Sequence, residues 1–547
     1  MQRVFSCQLS LIVCLSLMAA LLYPCVSFAE NCEKRVATVV SVQGSVEVQR
    51  AGETQWQTVK LNDTFCPGDK IRVNERSRAG LTLVNQPVLR LDQNTSITLG
   101  GVKEKQTSVV ELARGALHFF SRVRRNLEVL TGFVNAGVEG TEGFISVEKD
   151  RTFISIFDGQ VLASNAVGSL TLTSGQSAVA EAGKAPVLRV VVRPRDAVHW
   201  ALYYLPVLYV PPGESPKEDL GDPGFLTYRA SRLLAVGRVN AAKADIQRAL
   251  SLNPMYSDAY ALQATIFVVQ NEREKALGSA KKAVETGPNS ATAHIATSYA
   301  RQADFDLEGA RASVEEAVRL DPNNALAWAR LAELWSSLGR LGRALDAAKK
   351  AVDLDPNLSR TQMVLGFAYL TQVKTTESRA AFEKAIEFDQ ADPLSRLGLG
   401  LAKIRGGDLQ AGGREVEIAA SLDPNNSIIR SYLGKTYFEN KQIGLDEREY
   451  AIAKELDPND PTPWFYGAIA KQTTNRPVEA LHDFQKAIEL NDNRKVYRSR
   501  LLLDSDEAAR SAATARIYSD LGFQQRALVE GWSAVNTDPT NFSAHRF

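Results

Sequence analysis

Apolar and polar residues alternate with period two from Val36 to about Val192, in runs rich in Val, Thr, Ile and Phe. Runs such as VATVVSVQGSVEVQR, GFISVEKDRTFISIFDGQVLAS and SLTLTSGQSAVA are punctuated by Gly, Asn and Asp. A half-buried strand hides every second side chain, so this pattern predicts many short antiparallel strands joined by turns. Asp158–Gly159 lies between two such runs and predicts a hairpin turn. Gly140–Thr141 predicts a tight bend. Gly68–Asp69 and Gly175–Gln176 read as turn-builders rather than ligand sites.

Beyond Pro223 the rhythm changes. Pro254, Pro288, Pro322 and Pro356 recur every 34 residues, and Gln390, Pro424, Pro458 and Asp492 keep the spacing. A period of that length predicts a solenoid of stacked two-helix units. Units then begin at Pro223, Ser257, Ala291, Ala325, Ser359, Pro393, Ser427 and Pro461. Their eighth position is always small (Ala230, Ala264, Ser298, Ala332, Gly366, Gly400, Gly434, Ala468), as close approach of two helices requires. Eight units fill 223–494; an insertion at 495–507 precedes a ninth unit in 508–547, where a further helix begins. No polar capping helix closes the array, so either the chain continues or a partner covers that end.

Residues 193–222 form an aromatic, proline-rich linker. Asp196 predicts the cap of a short helix running to Tyr204, which Pro206 ends. The apolar stretch is too short to cross a bilayer. Trp200, Tyr203, Tyr204 and Leu208 are expected to pack the first helices against the β domain.

The start of the chain changes the compartment. Arg3, the apolar run to Leu22, and Ser27 and Ala29 form a secretory signal over 1–29, and the β domain spans 30–192. Export leaves Cys32 and Cys66, which are expected to form one disulfide. Sixty-four basic against sixty-three acidic residues give a net charge of +1, interspersed, which argues against nucleic acid as partner. Arg122, Arg124 and Arg125 read as a solvated strand edge. His118, His199, His294, His482 and His545 stand singly; no metal-ligand spacing, phosphate loop or nucleophile elbow appears. The glycines of LGLGLAKIRGG lie on a repeat helix and follow no strand. No catalytic residue, metal or cofactor is expected, and no transmembrane helix in the mature chain.

Two resemblances follow. The order QGSVEV, LNDTFCPGDKIRV, LARGALHFF, VNAGVEGTEGFISV, FDGQVLAS and LTLTSGQSAVA resembles a FecR domain through Gly44, Gly68–Asp69, Gly115, Gly140–Thr141, Gly159 and Gly175–Gln176. The fourth unit resembles the tetratricopeptide (TPR) consensus through Trp328, Leu331, Ala332, Ala344 and Ala351. The expected fold is therefore multidomain, an all-β FecR-like domain followed by an all-α TPR solenoid, a right-handed superhelix of helix pairs. Exported proteins of this resemblance can continue into an outer-membrane barrel. In TPR arrays the first helix of each unit lines the concave face. Here that face offers Met363, Phe367, Leu370, Leu394, Leu397, Leu401, Ile404, Phe438, Phe465 and Ile469. Large apolar residues in those places suggest a docking groove; tight curvature burying them internally is the competing reading. The expected function is a non-enzymatic protein–protein interaction scaffold of the bacterial cell envelope, in the periplasm or at the periplasmic face of the outer membrane. Its partner is a protein or peptide, with outer-membrane assembly or export components in view. The alternative is a FecR-like sensing and signalling component.

Overall fold

Among the described residues, fifteen strands between Ala37 and Arg189 join into one hydrogen-bonded sheet system in the computed structural model. The model describes residues 34–103, 107–122, 124–191, 193–493, 496, 503–540 and 542–546. The signal segment 1–29 lies outside the described residues. The longest strands, Thr107–Phe120, Asn135–Val147 and Arg151–Ser164, pair antiparallel, while Arg124–Thr131 runs parallel to Thr107–Phe120. Period-two alternation turns Val39, Phe65, Leu81, Leu117, Phe119, Ile145 and Ile156 inward as a common core.

The hairpin expected at Asp158–Gly159 does not form, and the bend expected at Gly140–Thr141 takes the form of a bulge. Asp158–Gly159 lies inside the strand Arg151–Ser164, which passes through without reversing, and Gly140–Thr141 lies inside its neighbour. The register between the two strands slips on both sides of Glu142. Gly140 and Gly159 have φ of 58° and 95° there, and Thr141 Oγ1 donates to the Gln160 carbonyl (2.6 Å) while accepting from its N–H (3.0 Å). This is a bulge: one ladder is interrupted and the strand bends. Positive φ serves a bulge and a hairpin equally, so sequence chemistry alone does not separate them. The turn at Gly68–Asp69 does form, with Asp69 accepting from the Ala51 and Cys66 N–H groups.

The helices come in consecutive pairs, from Pro223–Ala235 with Val239–Leu252 to Pro461–Thr473 with Pro477–Glu489. Asp222, Ser290, Asn324, Asp392, Asn426 and Asp460 cap first helices by accepting backbone N–H groups. Ala249, Ala283, Ala317, Ala351, Ala385, Ala419, Ala453 and Ala487 share one repeat position and are fully buried. Most successive first helices pack on one another, as Ser257–Val269 does on Ala291–Ala303, so they line the inner face of the curve. The glycines of Leu397–Gly407 serve packing: the Phe382 ring lies over Gly366 and Gly398, and Gly400 admits the backbone of Gly412. A last pair, Leu503–Asp520 and Gln524–Thr537, starts inside the expected insertion.

The linker departs from expectation. Pro194–Ala201 is a 3-10 helix, Arg193 rather than Asp196 holds the cap position, and no side chain caps it. It stops short of Tyr204 because Leu202, Tyr204 and Val207 are drawn, extended, into the apolar core of the first units. Val198 and Ala201 pack on Ala116, Phe144 and Phe157 of the sheet. The aromatic segment thus ties sheet to helices, and Val36–Phe547 forms one compact unit. Cys66 is disulfide-bonded; Cys32 lies outside the described residues.

Candidate functional site

The ten inner-face residues divide by what covers them. Met363, Leu370 and Leu397 are buried; Phe367, Leu394, Leu401, Ile404, Phe438, Phe465 and Ile469 are half-buried. Leu61 of the β domain packs into the cluster that holds Met363, Phe367 and Leu370. Val88 and Phe120, also from the β domain, pack with Leu397, Ile429 and Leu433, and with Leu394 and Leu401. Phe438, Phe465 and Ile469 pack around Tyr450, Tyr466 and Ala470, and Phe465 and Ile469 also against Phe484 and Ile517 of the helices that follow, with no β-domain residue in either cluster. The β domain therefore covers the inner face over units five and six and part of unit seven, and contributes no residue to the clusters that hold Phe438, Phe465 and Ile469.

Beneath the covered part lies a buried ionic centre built by both domains. Arg430 Nη2 donates to Glu142 Oε1 (2.6 Å) and Nη1 to Glu449 Oε2 (3.1 Å), and all three side chains have no exposed surface. Arg122 bridges the same carboxylates, 2.5 Å from Glu449 and 3.3 Å from Glu142. Its guanidinium and that of Arg430 lie over the Phe120 ring. Arg448 pairs with Asp158. The bulge is what aims Glu142 and Asp158 out of the sheet toward these arginines.

Arg122 corrects the sequence reading of a solvated edge. Its side chain is 3 % exposed, and it joins two domains 327 residues apart in sequence. A charge beside other charges reads as surface until its counter-ions are located, and those lie on another domain. A signal was present nonetheless. Arg396 and Arg430 hold the fourth position of consecutive units, where Trp328 and Trp464 stand in others. Arg396 donates to the Val40 carbonyl of the sheet (2.7 Å) and pairs with Glu415.

Burial alone would raise the Glu142 carboxyl. Arg430, the His118 hydrogen bond, Arg195 and Arg122 outweigh it and hold it well below the usual carboxylate range. Burial lowers the His118 imidazole despite its contact with Glu142 at 3.3 Å. A histidine beside a carboxylate has the makings of an acid–base pair, and here both are fully buried. The centre joins domains.

Glu417 behaves differently. Burial pushes its carboxyl up from 4.5 to about 7 although Tyr437 donates to it (2.9 Å). Between those values the folded protein holds a proton that the unfolded chain has released, so this group's contribution falls as pH rises. Glu417→Gln should gain on the order of 2 kcal/mol over wild type at pH 8 and nothing at pH 4, read by urea unfolding at both pH values.

Along one edge runs a ladder of aspartates. Asp321, Asp355, Asp389, Asp423 and Asp457 hold the same position of successive repeats, in the loops between units. One oxygen closes the local turn, accepting from the N–H of Asn323, Asn357, Ala391 and Asn459 at 3.2, 3.2, 3.0 and 3.1 Å. The other oxygen meets the linker at two steps: Tyr209 donates to Asp355 (3.4 Å) and Tyr203 to Asp389 (3.1 Å). Burial raises the Asp389 carboxyl, and the charges of Arg78 and Arg90 on the sheet oppose that. Val42 N–H donates to Gln390 beside it (2.8 Å). From the other side, Arg78 donates to the Ala235 carbonyl of the first unit (2.8 Å), and Arg238 pairs with Asp92. The β domain and linker are held between the first unit and the loops of units four to six.

Among the described residues no group of three or more His, Cys, Asp or Glu could hold a metal ion, and no helix is long and apolar enough to cross a membrane. Residues 69–162 match the FecR protein family, and residues 229–291 and 295–359 match the tetratricopeptide repeat family. No curated protein matches the chain. Among solved structures it is similar to the Cut9–Hcn1 hetero-tetramer of the APC/C, at 16 % identity over 53 % of this chain and 58 % of that one, with a TM-score of 0.40. A tetratricopeptide-repeat protein of Thermus thermophilus matches at 23 % identity over 33 % of this chain and 99 % of its own, TM-score 0.30. One from Parabacteroides merdae matches at 16 % over 44 % and 98 %, TM-score 0.32.

Proposed function

We propose that this chain, with its FecR domain ahead of tetratricopeptide repeats, is a non-enzymatic protein–protein interaction scaffold of the bacterial cell envelope. It holds a protein or peptide on the inner face of the solenoid. The observation that carries this is the part of that face that the β domain does not cover. Phe438, Phe465 and Ile469 stand half-buried on consecutive first helices, presented by a packed array rather than by mobile loops. Aromatic and aliphatic anchors on a rigid curved surface suit an extended or helical partner segment. Envelope location is the inference from the signal segment and the FecR match.

The test is photocrosslinking in intact cells from positions 438 and 469, with the exposed second-helix residue Glu383 as control. One and the same envelope protein should be captured from both inner positions and not from the control. Phe438→Asp with Ile469→Asp should then weaken that partner at least ~10-fold, the loss of one to two anchor contacts, with helical circular dichroism unchanged. Equal binding by the double variant ends the proposal. A second reading, a sensing and signalling component, is favoured by the FecR match alone; a captured sigma- or anti-sigma-type protein would select it.

A further inference from the structure

Building on the scaffold reading, we propose that the solenoid surface over units four to six is a peptide site closed in cis. The protein's own β domain and the segment Leu202–Val210 occupy it. A partner presenting the same chemistry, an extended chain bearing tyrosine side chains, takes that place when the β domain is released.

Three observations carry this. First, two consecutive inter-unit loops present the same acceptor to the linker. At Asp355 and Asp389 one carboxylate oxygen is fixed by its own turn and the other accepts from Tyr209 and Tyr203, whereas at Asp321 and Asp423 the second oxygen is taken by Asn324 and Asn426 of the same turn. Two equivalent acceptors one repeat apart accept any donor of suitable reach, in this chain or another. Second, Leu202–Val210 binds as a peptide ligand binds. It has no helix or strand, Pro206 removes one N–H, and Leu202, Tyr204 and Val207 are buried anchors along it.

Third, the closed interface is charged and imperfectly satisfied. Arg90 Nε and Nη1, Arg396 Nε, Arg448 Nη2 and Trp200 Nε1 are buried without a hydrogen-bond partner. Each such donor costs free energy that water would return on opening. Buried ion pairs contribute specificity more than net stability against an apolar alternative, and interfaces between domains of one chain commonly behave as transient ones. The closed state is thus specific without being maximally stable.

Cis closure makes a quantitative demand. If the site is open one part in a hundred, an outside ligand binds about a hundredfold more weakly than its intrinsic affinity. The probe is a fluorescein-labelled peptide with the sequence of residues 199–212, and the readout is anisotropy with the full chain. Tyr203→Ala with Tyr209→Ala loosens the cis segment and should tighten peptide binding at least ~10-fold over wild type. Adding Asp355→Asn and Asp389→Asn should remove that gain. Tyr203→Phe with Tyr209→Phe keeps the ring packing and is read instead if the alanine pair loses helical signal. Equal affinity in wild type and the folded tyrosine variants, including no binding by either, overturns the proposal. The scaffold reading fails separately, if positions 438 and 469 capture no envelope protein while the peptide gain is still observed.

Discussion

Arg430→Met should lower stability by about 3–5 kcal/mol, the largest single loss expected at the junction of the two domains. Arg430 supplies the shortest contact to Glu142 and a second one to Glu449. With the guanidinium gone, two carboxylates remain buried with Arg122 as their shared counter-ion, and one of them must take up a proton or draw in water. The Pro424 carbonyl also loses its donor. Urea unfolding at pH 7 reads the effect. Arg430→Met combined with Glu142→Gln should cost less than Arg430→Met alone, since the second change removes one stranded charge; that inversion identifies an ion pair rather than lost packing. A loss under about 0.5 kcal/mol, the level of a surface substitution, would show that the ionic centre is solvated and does not join the domains.

Phe382→Ala should cost about 3–5 kcal/mol by leaving a cavity at the centre of the fifth and sixth units. The Phe382 ring is fully buried and meets Phe367 edge-on, with centroids 4.9 Å apart. It fits because two helices present glycine beneath it: a Cβ at Gly366 would lie 2.8 Å from the ring, and one at Gly398 would lie closer still. Gly398→Ala alone should therefore cost about 1–3 kcal/mol by overpacking. Phe382→Leu with Gly398→Ala should cost less than the two single losses added, because the smaller side chain makes room for the methyl. Thermal and urea midpoints of the four proteins form the cycle. Strict additivity would mean that ring and glycine do not share the space.

How much of this was legible depends on the range of the interaction concerned. The buried alanines from Ala249 to Ala487 follow from a 34-residue spacing, because each answers to the helix beside it. The strands followed from alternation, because one face of a sheet is apolar along its whole length. Asp158–Gly159 was misread because glycine permits a conformation without stating which partner strand imposes it. The same limit applies to Arg122: local sequence shows a charge, and only the approach of Glu449 shows that it is neutralised. The inner face was legible as a list of apolar positions. Which of them another domain covers was not.

By itself the sequence determined two repetitive architectures, since both periodicities are local and recur often enough to be read without knowing any long-range contact. It also supplied the glycines, the aspartate ladder and the two arginines at the fourth repeat position, though not their use. Tertiary structure alone decided that the β domain closes on the solenoid. That closure rests on contacts between residues hundreds of positions apart, such as Glu142 with Arg430 and Val40 with Arg396. Their strength comes from mutual burial, a condition that exists only once both surfaces are built.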